Sequence, residues 1–162
     1  MSKIHVLKNS STEAVLKIYT DESSGEVIDV SLEDWLTSAD QEYVTGTHTG
    51  DETVGEFGVY SGSHATIAGV WWGAKIGKQI NIQRIISTDP EVVHSYAYFT
   101  NAGFHDYMSA GFVDRIYADK DIRVTFDGGE GFVILKLKKQ GWNPKVETAT
   151  FGIYDDESAV GS

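Results

Sequence analysis

Cysteine is absent from this 162-residue chain. Its absence excludes a disulfide framework, a thiolate metal site and a cysteine nucleophile, and it leaves the redox compartment unreadable. Proline is scarce, with 2 residues. No apolar run approaches the ~18 residues that cross a bilayer, so no membrane partner is expected. The opening Met1-Ser-Lys-Ile-His5 lacks a basic stretch followed by an apolar one, so no secretory signal is visible and a protein made and folded in cytoplasm is expected. Positive charge is also short: 13 Lys and Arg stand against 24 Asp and Glu, a net charge of −11. Residues 1–60 hold twelve of the acids and three bases, Lys3, Lys8 and Lys17. A field of this sign repels phosphate backbones, so no nucleic acid is expected as a partner.

What the chain does have is apolar and aromatic content. Apolar residues make up 41% of it, with 4 Trp, 8 Tyr and 7 Phe, which is not the composition of a disordered chain. At this size folding removes about two-thirds of the unfolded surface from water, enough for a core without staples.

Short alternating segments recur between Gly, Asn, Asp and Ser clusters, the pattern of β-strands. Lys3–Lys8 places Ile4 and Val6 on one face, and Glu13–Tyr19 places Ala14, Leu16 and Ile18 on one face. Asn9-Ser10-Ser11 turns between them. Glu26–Val30 reads as a further strand. Ser31 then fits a helix cap, followed by Glu33 and Asp34 in a first turn and by apolar Trp35 and Leu36. Residues 45–56 read as a polar, Gly-rich loop. Ala65–Ile86 reads as a hairpin around Trp72-Gly73-Ala74-Lys75, with a bulge at Gly77. In Glu91–Thr100, Val92, Val93, Tyr96 and Phe99 fit a helical face while Tyr96, Tyr98 and Thr100 fit a strand, and a strand is expected. Phe104–Tyr117 fits a strand, a short helix or a packed loop. Asp121–Asp127 and Phe132–Lys139 form the strongest hairpin pattern, around Gly128-Gly129-Glu130-Gly131. Its inward sets are Ile122, Val124 and Phe126 on one arm and Val133, Leu135 and Leu137 on the other, with Lys136 and Lys138 outward. About eight to ten strands with little helix predict a mainly β, antiparallel β-sandwich or jelly-roll-like single domain. That domain is expected over residues 1–144, with 145–162 as a C-terminal arm or tail.

Catalytic signatures are missing from this pattern. His5, His48, His64, His94 and His105 show no metal-ligand spacing and no HExxH. Gly62-Ser63-His64 is not a GxSxG elbow. The Gly-rich segments at 46–50 and 128–131 are not phosphate loops. The acid pairs Asp21/Glu22 and Asp51/Glu52 and the run Asp155-Asp156-Glu157 lie in polar stretches, not in the apolar cleft that raises a catalytic carboxyl. No enzyme activity, cofactor or metal is expected.

The candidate contact residues are of other kinds. Lys136, Lys138, Lys139 and Lys145 form a local basic cluster, either a solvated strand face or a contact for an acidic partner surface such as another copy's N-terminal half. Trp71 and Trp72 face opposite sides of a strand, so one belongs to the core and the other is exposed or covered by a partner. Trp72 is the expected contact. Phe151, Ile153 and Tyr154 give the C-terminal arm apolar anchors.

The blocks Thr12–Tyr19, Ala65-Thr-Ile-Ala-Gly-Val-Trp-Trp72, Gln79-Ile-Asn-Ile-Gln-Arg84 and Asp121–Lys139 together resemble small virion structural proteins of tailed bacteriophages, of marine and cyanobacterial type. The resemblance spans roughly residues 3–140. It implies a non-enzymatic particle component, foremost a capsid decoration (cement) protein, with a neck or tail accessory as an alternative location. It implies assembly into the virion, with the major capsid protein or other virion proteins as partners and a homo-oligomer as the expected state. A carbohydrate-binding or host-recognition module, stacking sugar on Trp72 or Tyr98, is the other non-enzymatic expectation. A hydrolase would need an acid pair in an apolar cleft.

Overall fold

The computed structural model describes residues 3–44, 63–111 and 117–144. The strands are β1 (Ile4–Asn9), β2 (Glu13–Thr20), β3 (Gly25–Val30), β4 (Gln41–Glu42), β5 (His64–Ala74), β6 (Gln79–Thr88), β7 (Glu91–Thr100), β8 (Ala102–Asp106), β9 (Ile122–Asp127), β10 (Gly131–Gln140) and β11 (Asn143–Pro144). One helix, α1 (Leu32–Leu36), follows Ser31, whose hydroxyl accepts from the Asp34 amide at 3.3 Å as the cap pattern requires. The loop at 45–56, Lys145 and the arm at 145–162 lie outside the described residues.

Two antiparallel sheets make a sandwich. The larger has the order β1-β2-β10-β5-β8, and the smaller β3-β9-β6-β7. A two-stranded pairing of β4 with β11 closes one end. Apart from β1, the two sheets pair β2 with β10, β3 with β9, β5 with β8 and β6 with β7, while β10 meets β5 and β9 meets β6. A long antiparallel ribbon rolled upon itself gives these pairings, which are those of an eight-stranded jelly roll.

This topology corrects two expectations. The segments 121–127 and 132–139 are not partners: β9 lies in the small sheet and β10 in the large one. Likewise β5 and β6 lie in different sheets. Both connections are arches that carry the chain across the core. Alternation cannot separate an arch from a hairpin, because each strand offers one apolar face to the same core either way. Gly128 (φ 78°) and Gly77 (φ 77°) supply the left-handed conformations that these sharp turns need. The ambiguous stretches resolve as well. Glu91–Thr100 is a strand, and Phe104 falls in a strand that ends at Asp106 and passes into a turn, while residues 112–116 of that stretch lie outside the described residues.

Ala14, Leu16, Ile18, Ile67, Val70, Val133, Leu135 and Leu137 from the large sheet meet Ile28, Val30, Ile80, Ile82, Ile122, Val124 and Phe126 from the small one in a single buried cluster. At one end of that cluster the parity of Ile80 and Ile82 continues to Arg84, which is fully buried. Its guanidinium donates to the Ala65 carbonyl at 2.5 Å and the Lys120 carbonyl at 2.8 Å, tying β5 to the turn before β9.

Candidate functional site

The outer face of the large sheet can be built row by row from its register. One row runs His5, Lys17, Ile134, Trp71, Phe104. The row beside it runs Tyr19, Phe132, Gly73, Ala102. On the other side lie Lys8, Val15, Lys136, Gly69 and Asp106, and beyond them Glu13, Lys138 and Thr66. Rows of this kind place side chains within contact distance across adjacent strands. The result is a flat aromatic and aliphatic centre with lysines along its margin.

The rings lie flat for local reasons. Trp71 and Phe104 are stacked, with centroids 6.2 Å apart and planes 14° from parallel. Phe132 lies across Gly73, where a Cβ would come within 2.6 Å of its ring. Lys17 Nζ is 5.9 Å from the centroids of both Tyr19 and Phe132, within reach of a cation–π attraction. Phe104 is 64% exposed, Trp71 39% and Phe132 37%, which is unusual for three large aromatics on one sheet face. The margin carries Lys8, Lys17, Lys136 and Lys138 against Glu13 and Asp106. Lys8 reaches Glu13 at 3.3 Å and Lys136 reaches it at 3.9 Å, so one carboxylate is shared by two lysines. The face is therefore locally positive on a chain of net charge −11. Asp106 is held below the usual carboxylate range by its hydrogen bonds from the Ser109 hydroxyl and amide.

Two expected contact residues are placed differently. Trp72 is not the exposed indole. β5 carries a register shift opposite Lys136 and Leu137, so that Gly69 pairs with Lys136, Ile67 pairs with Leu137, and Ala68 is the extra residue. A bulge of one residue reverses the parity beyond it. Ala65 and Ile67 point inward before the bulge, and Val70 and Trp72 point inward after it. Trp72 packs 4.5 Å from Phe99 and stacks on His105 at 5.7 Å between ring centroids, and its Nε1 donates to the Thr100 carbonyl at 2.9 Å. Trp71 takes the outer position instead. The bulge sits at Ala68, not at Gly77.

Lys139 is not on the surface with its neighbours. Lys136 and Lys138 point outward, but Lys139 shares the inward parity of Val133, Leu135 and Leu137 and is buried. Its three ammonium protons are shared among four acceptors, Leu36 O and Gln41 Oε1 at 2.6 Å and Asn9 Oδ1 and Ser10 O at 2.9 Å. It also lies 4.7 Å from the centroid of Trp142. Burial lowers its pKa from 10.5 to about 8. It fastens the β1–β2 turn, the end of α1 and β4 together inside the fold. Lys145, Phe151, Ile153 and Tyr154 lie outside the described residues.

Trp71, Phe104, Phe132, Ile134 and Lys17 escape a reading that looks for clusters along the sequence. For two of them a signal is present: if Val133 and Leu135 face inward, Phe132 and Ile134 face out. Among the described residues no three His, Asp or Glu side chains converge to hold a metal ion. The chain matches no family model, no curated protein and no solved structure.

Proposed function

We propose that this protein is a non-enzymatic virion structural protein, most specifically a capsid decoration subunit that holds to the particle through the outer face of its large sheet. The observation that carries the reading is that face: stacked Trp71 and Phe104 beside Phe132 and Ile134, bordered by lysines. Exposed aromatics at the centre of a flat patch, with charge at the rim, are the composition of a protein–protein contact. The local positive charge suits an acidic surface on the major capsid protein or another virion protein. The edge strand β8 carries Phe104, all five of its residues are exposed, and among the described residues no strand pairs with its outer edge, which extends the contact. The jelly roll itself recurs in viral capsid domains, a likeness of fold that supports the reading without carrying it.

Self-association fits the same chemistry in one arrangement. Two copies meeting face to face would set lysines against lysines. The lysine margin of one copy instead suits the exposed acids of the next, Glu22, Glu33 and Asp34.

Co-sedimentation with capsids of the virus that encodes the chain tests the proposal, with sedimentation velocity giving the free protein's mass. The parent chain is expected to pellet with capsids. Folded Trp71→Ala and Lys17→Glu/Lys136→Glu variants are expected to remain in the supernatant. A parent chain that never pellets, or variants that pellet as well as it does, refutes the reading.

A further inference from the structure

The opposite side of the sandwich has a different chemistry. On the outer face of the small sheet, Val27, Thr125, Asn81 and Tyr98 form one row, and Asp29, Arg123, Gln83 and Ser95 form the next. Arg123 is engaged by Asp29 at 2.7 and 3.1 Å and by Glu91 at 2.6 Å, so its charge is already matched. What remains is a field of neutral amides and hydroxyls around the 60% exposed ring of Tyr98. Their mutual hydrogen bonds are long. Thr125 Oγ1 donates to Gln83 Oε1 at 3.3 Å, Gln83 Nε2 to Ser95 Oγ at 3.4 Å and Asn81 Nδ2 to Ser95 Oγ at 3.5 Å, and the Tyr98 hydroxyl lies 3.4 Å from Ser95 Oγ. Bonds of this length are weak and readily exchanged. Asn81 Oδ1 is buried with no hydrogen-bond partner among the described residues, an acceptor without a donor.

This field opens at one end into a cleft of about 380 Å³ lined by Gly77, Lys78, Gln79, Thr100, Asn101 and Asp127. Gln79, Thr100 and Asp127 form the row next to Asn81 and Tyr98, so cleft and field are continuous. The volume lies within the usual small-molecule range of about 300–1,000 Å³. The cleft wall is fixed from behind. Asn101 holds a left-handed φ of 58°, its carbonyl accepts from the Ala74 amide at 2.6 Å, and the Thr100 carbonyl accepts from Trp72 Nε1.

We infer that this cleft and the adjoining Asn81–Tyr98 row bind a neutral saccharide. Sugar hydroxyls both donate and accept, which suits a wall of amides and hydroxyls with one ammonium, Lys78, and one carboxylate, Asp127. The apolar face of a pyranose suits the open Tyr98 ring. Lys78 and Asp127 offset each other in the cleft, Arg123 is already matched, and the net charge of −11 disfavours an anionic ligand. The site lies on the sheet opposite the proposed docking face, so one subunit is able to hold a particle and a glycan together.

Amide chemical-shift mapping of the full chain tests this. The probes are glucose, galactose, mannose, N-acetylglucosamine, cellotetraose, maltotetraose and chitotetraose, with N-acetylneuraminic acid as the anionic control. At least one neutral probe is expected to shift the amides of residues 77–81, 98–101 and 125–127. That affinity is expected to fall about tenfold in Asp127→Asn and in Tyr98→Ala, both folded by their spectra, and to be unchanged in Trp71→Ala. The inference is overturned if no neutral probe shifts those amides, if shifts map to the large sheet, if the two variants bind like the parent, or if the anionic control binds best. None of these results bears on capsid docking, which fails or stands on Trp71.

Discussion

Replacing Lys139 with methionine keeps an unbranched apolar stem of similar length and removes only the ammonium. That group holds Leu36 O and Gln41 Oε1 at 2.6 Å inside the fold, and Asn9 Oδ1 and Ser10 O at 2.9 Å nearer the surface. Hydrogen bonds to a charged group contribute about 1.5–3 kcal/mol each, so the two buried bonds alone set a gross loss of about 3–6 kcal/mol. Part of this is offset, because burying a cation costs several kcal/mol that methionine does not incur. Gln41 Oε1 has the Ser38 hydroxyl at 3.1 Å as a substitute donor, shared with Asp40 Oδ1 at 2.6 Å. The Leu36 carbonyl, at the C-terminal end of α1, is the group left without its donor. The net destabilisation expected is about 2–4 kcal/mol, or about 5–12 °C in Tm for a domain of this size. Urea unfolding followed by tryptophan fluorescence at neutral pH measures it. A Lys139→Met protein as stable as its parent would mean that desolvation outweighs the four contacts, and Lys139 would not be the fastener described. Gln41→Leu supplies the cross-check, since its effect should be largely absent when Lys139 is already methionine.

The remaining predictions concern pH, the bulge and the docking face. Lys139 is lowered from 10.5 to about 8, so between those values the unfolded chain binds the additional proton and stability from this residue rises with pH; below about pH 8 it is flat. The stability gap between parent and Lys139→Met should therefore widen between about pH 7 and about pH 9.5, and a narrowing gap contradicts the sign. Deleting Ala68 removes the extra residue and restores simple alternation in β5, with Gly69 still opposite Lys136, Trp71 still outward and Trp72 still inward. Parental near-UV circular dichroism and a stability change of about 2 kcal/mol or less by thermal melting are expected, whereas exchanged indoles with a loss of about 4 kcal/mol or more would remove the extra residue at Ala68 as the cause of the indole exchange. Trp71→Ala should change folding stability by less than about 1 kcal/mol while weakening particle binding by about 2 kcal/mol or more, as compared by melting and by binding isotherms.

Most strand positions were legible because each strand pairs an apolar parity with a polar one. Leu16, Val124 and Leu135 sit inward as their spacing predicts, and Ser31 caps its short helix. What alternation left open was which sheet each strand enters. The Gly128–Gly131 connection serves an arch as well as a hairpin, and only the pairing of β10 with β2 and β5 decides between them. The exchange of Trp71 for Trp72 was hidden for a related reason. The extra residue at Ala68 has no marker in a run of small and β-branched residues, yet it reverses every side chain after it. Lys139 was readable. Counting on from Val133, Leu135 and Leu137 places it inside, but grouping it by charge with Lys136 and Lys138 conceals that parity. The cleft at Gln79, Thr100 and Asp127 was not readable, because it joins strand ends far apart in the chain.

Hydroxyl-radical footprinting of the subunit, free and bound to capsids, addresses the docking face most directly. Trp71, Phe104 and Phe132 should lose reactivity on the particle while Tyr98, on the opposite sheet, keeps its own. Protection of Tyr98 with Trp71 and Phe104 still reactive would contradict the account, because the subunit would then be holding on by its other side.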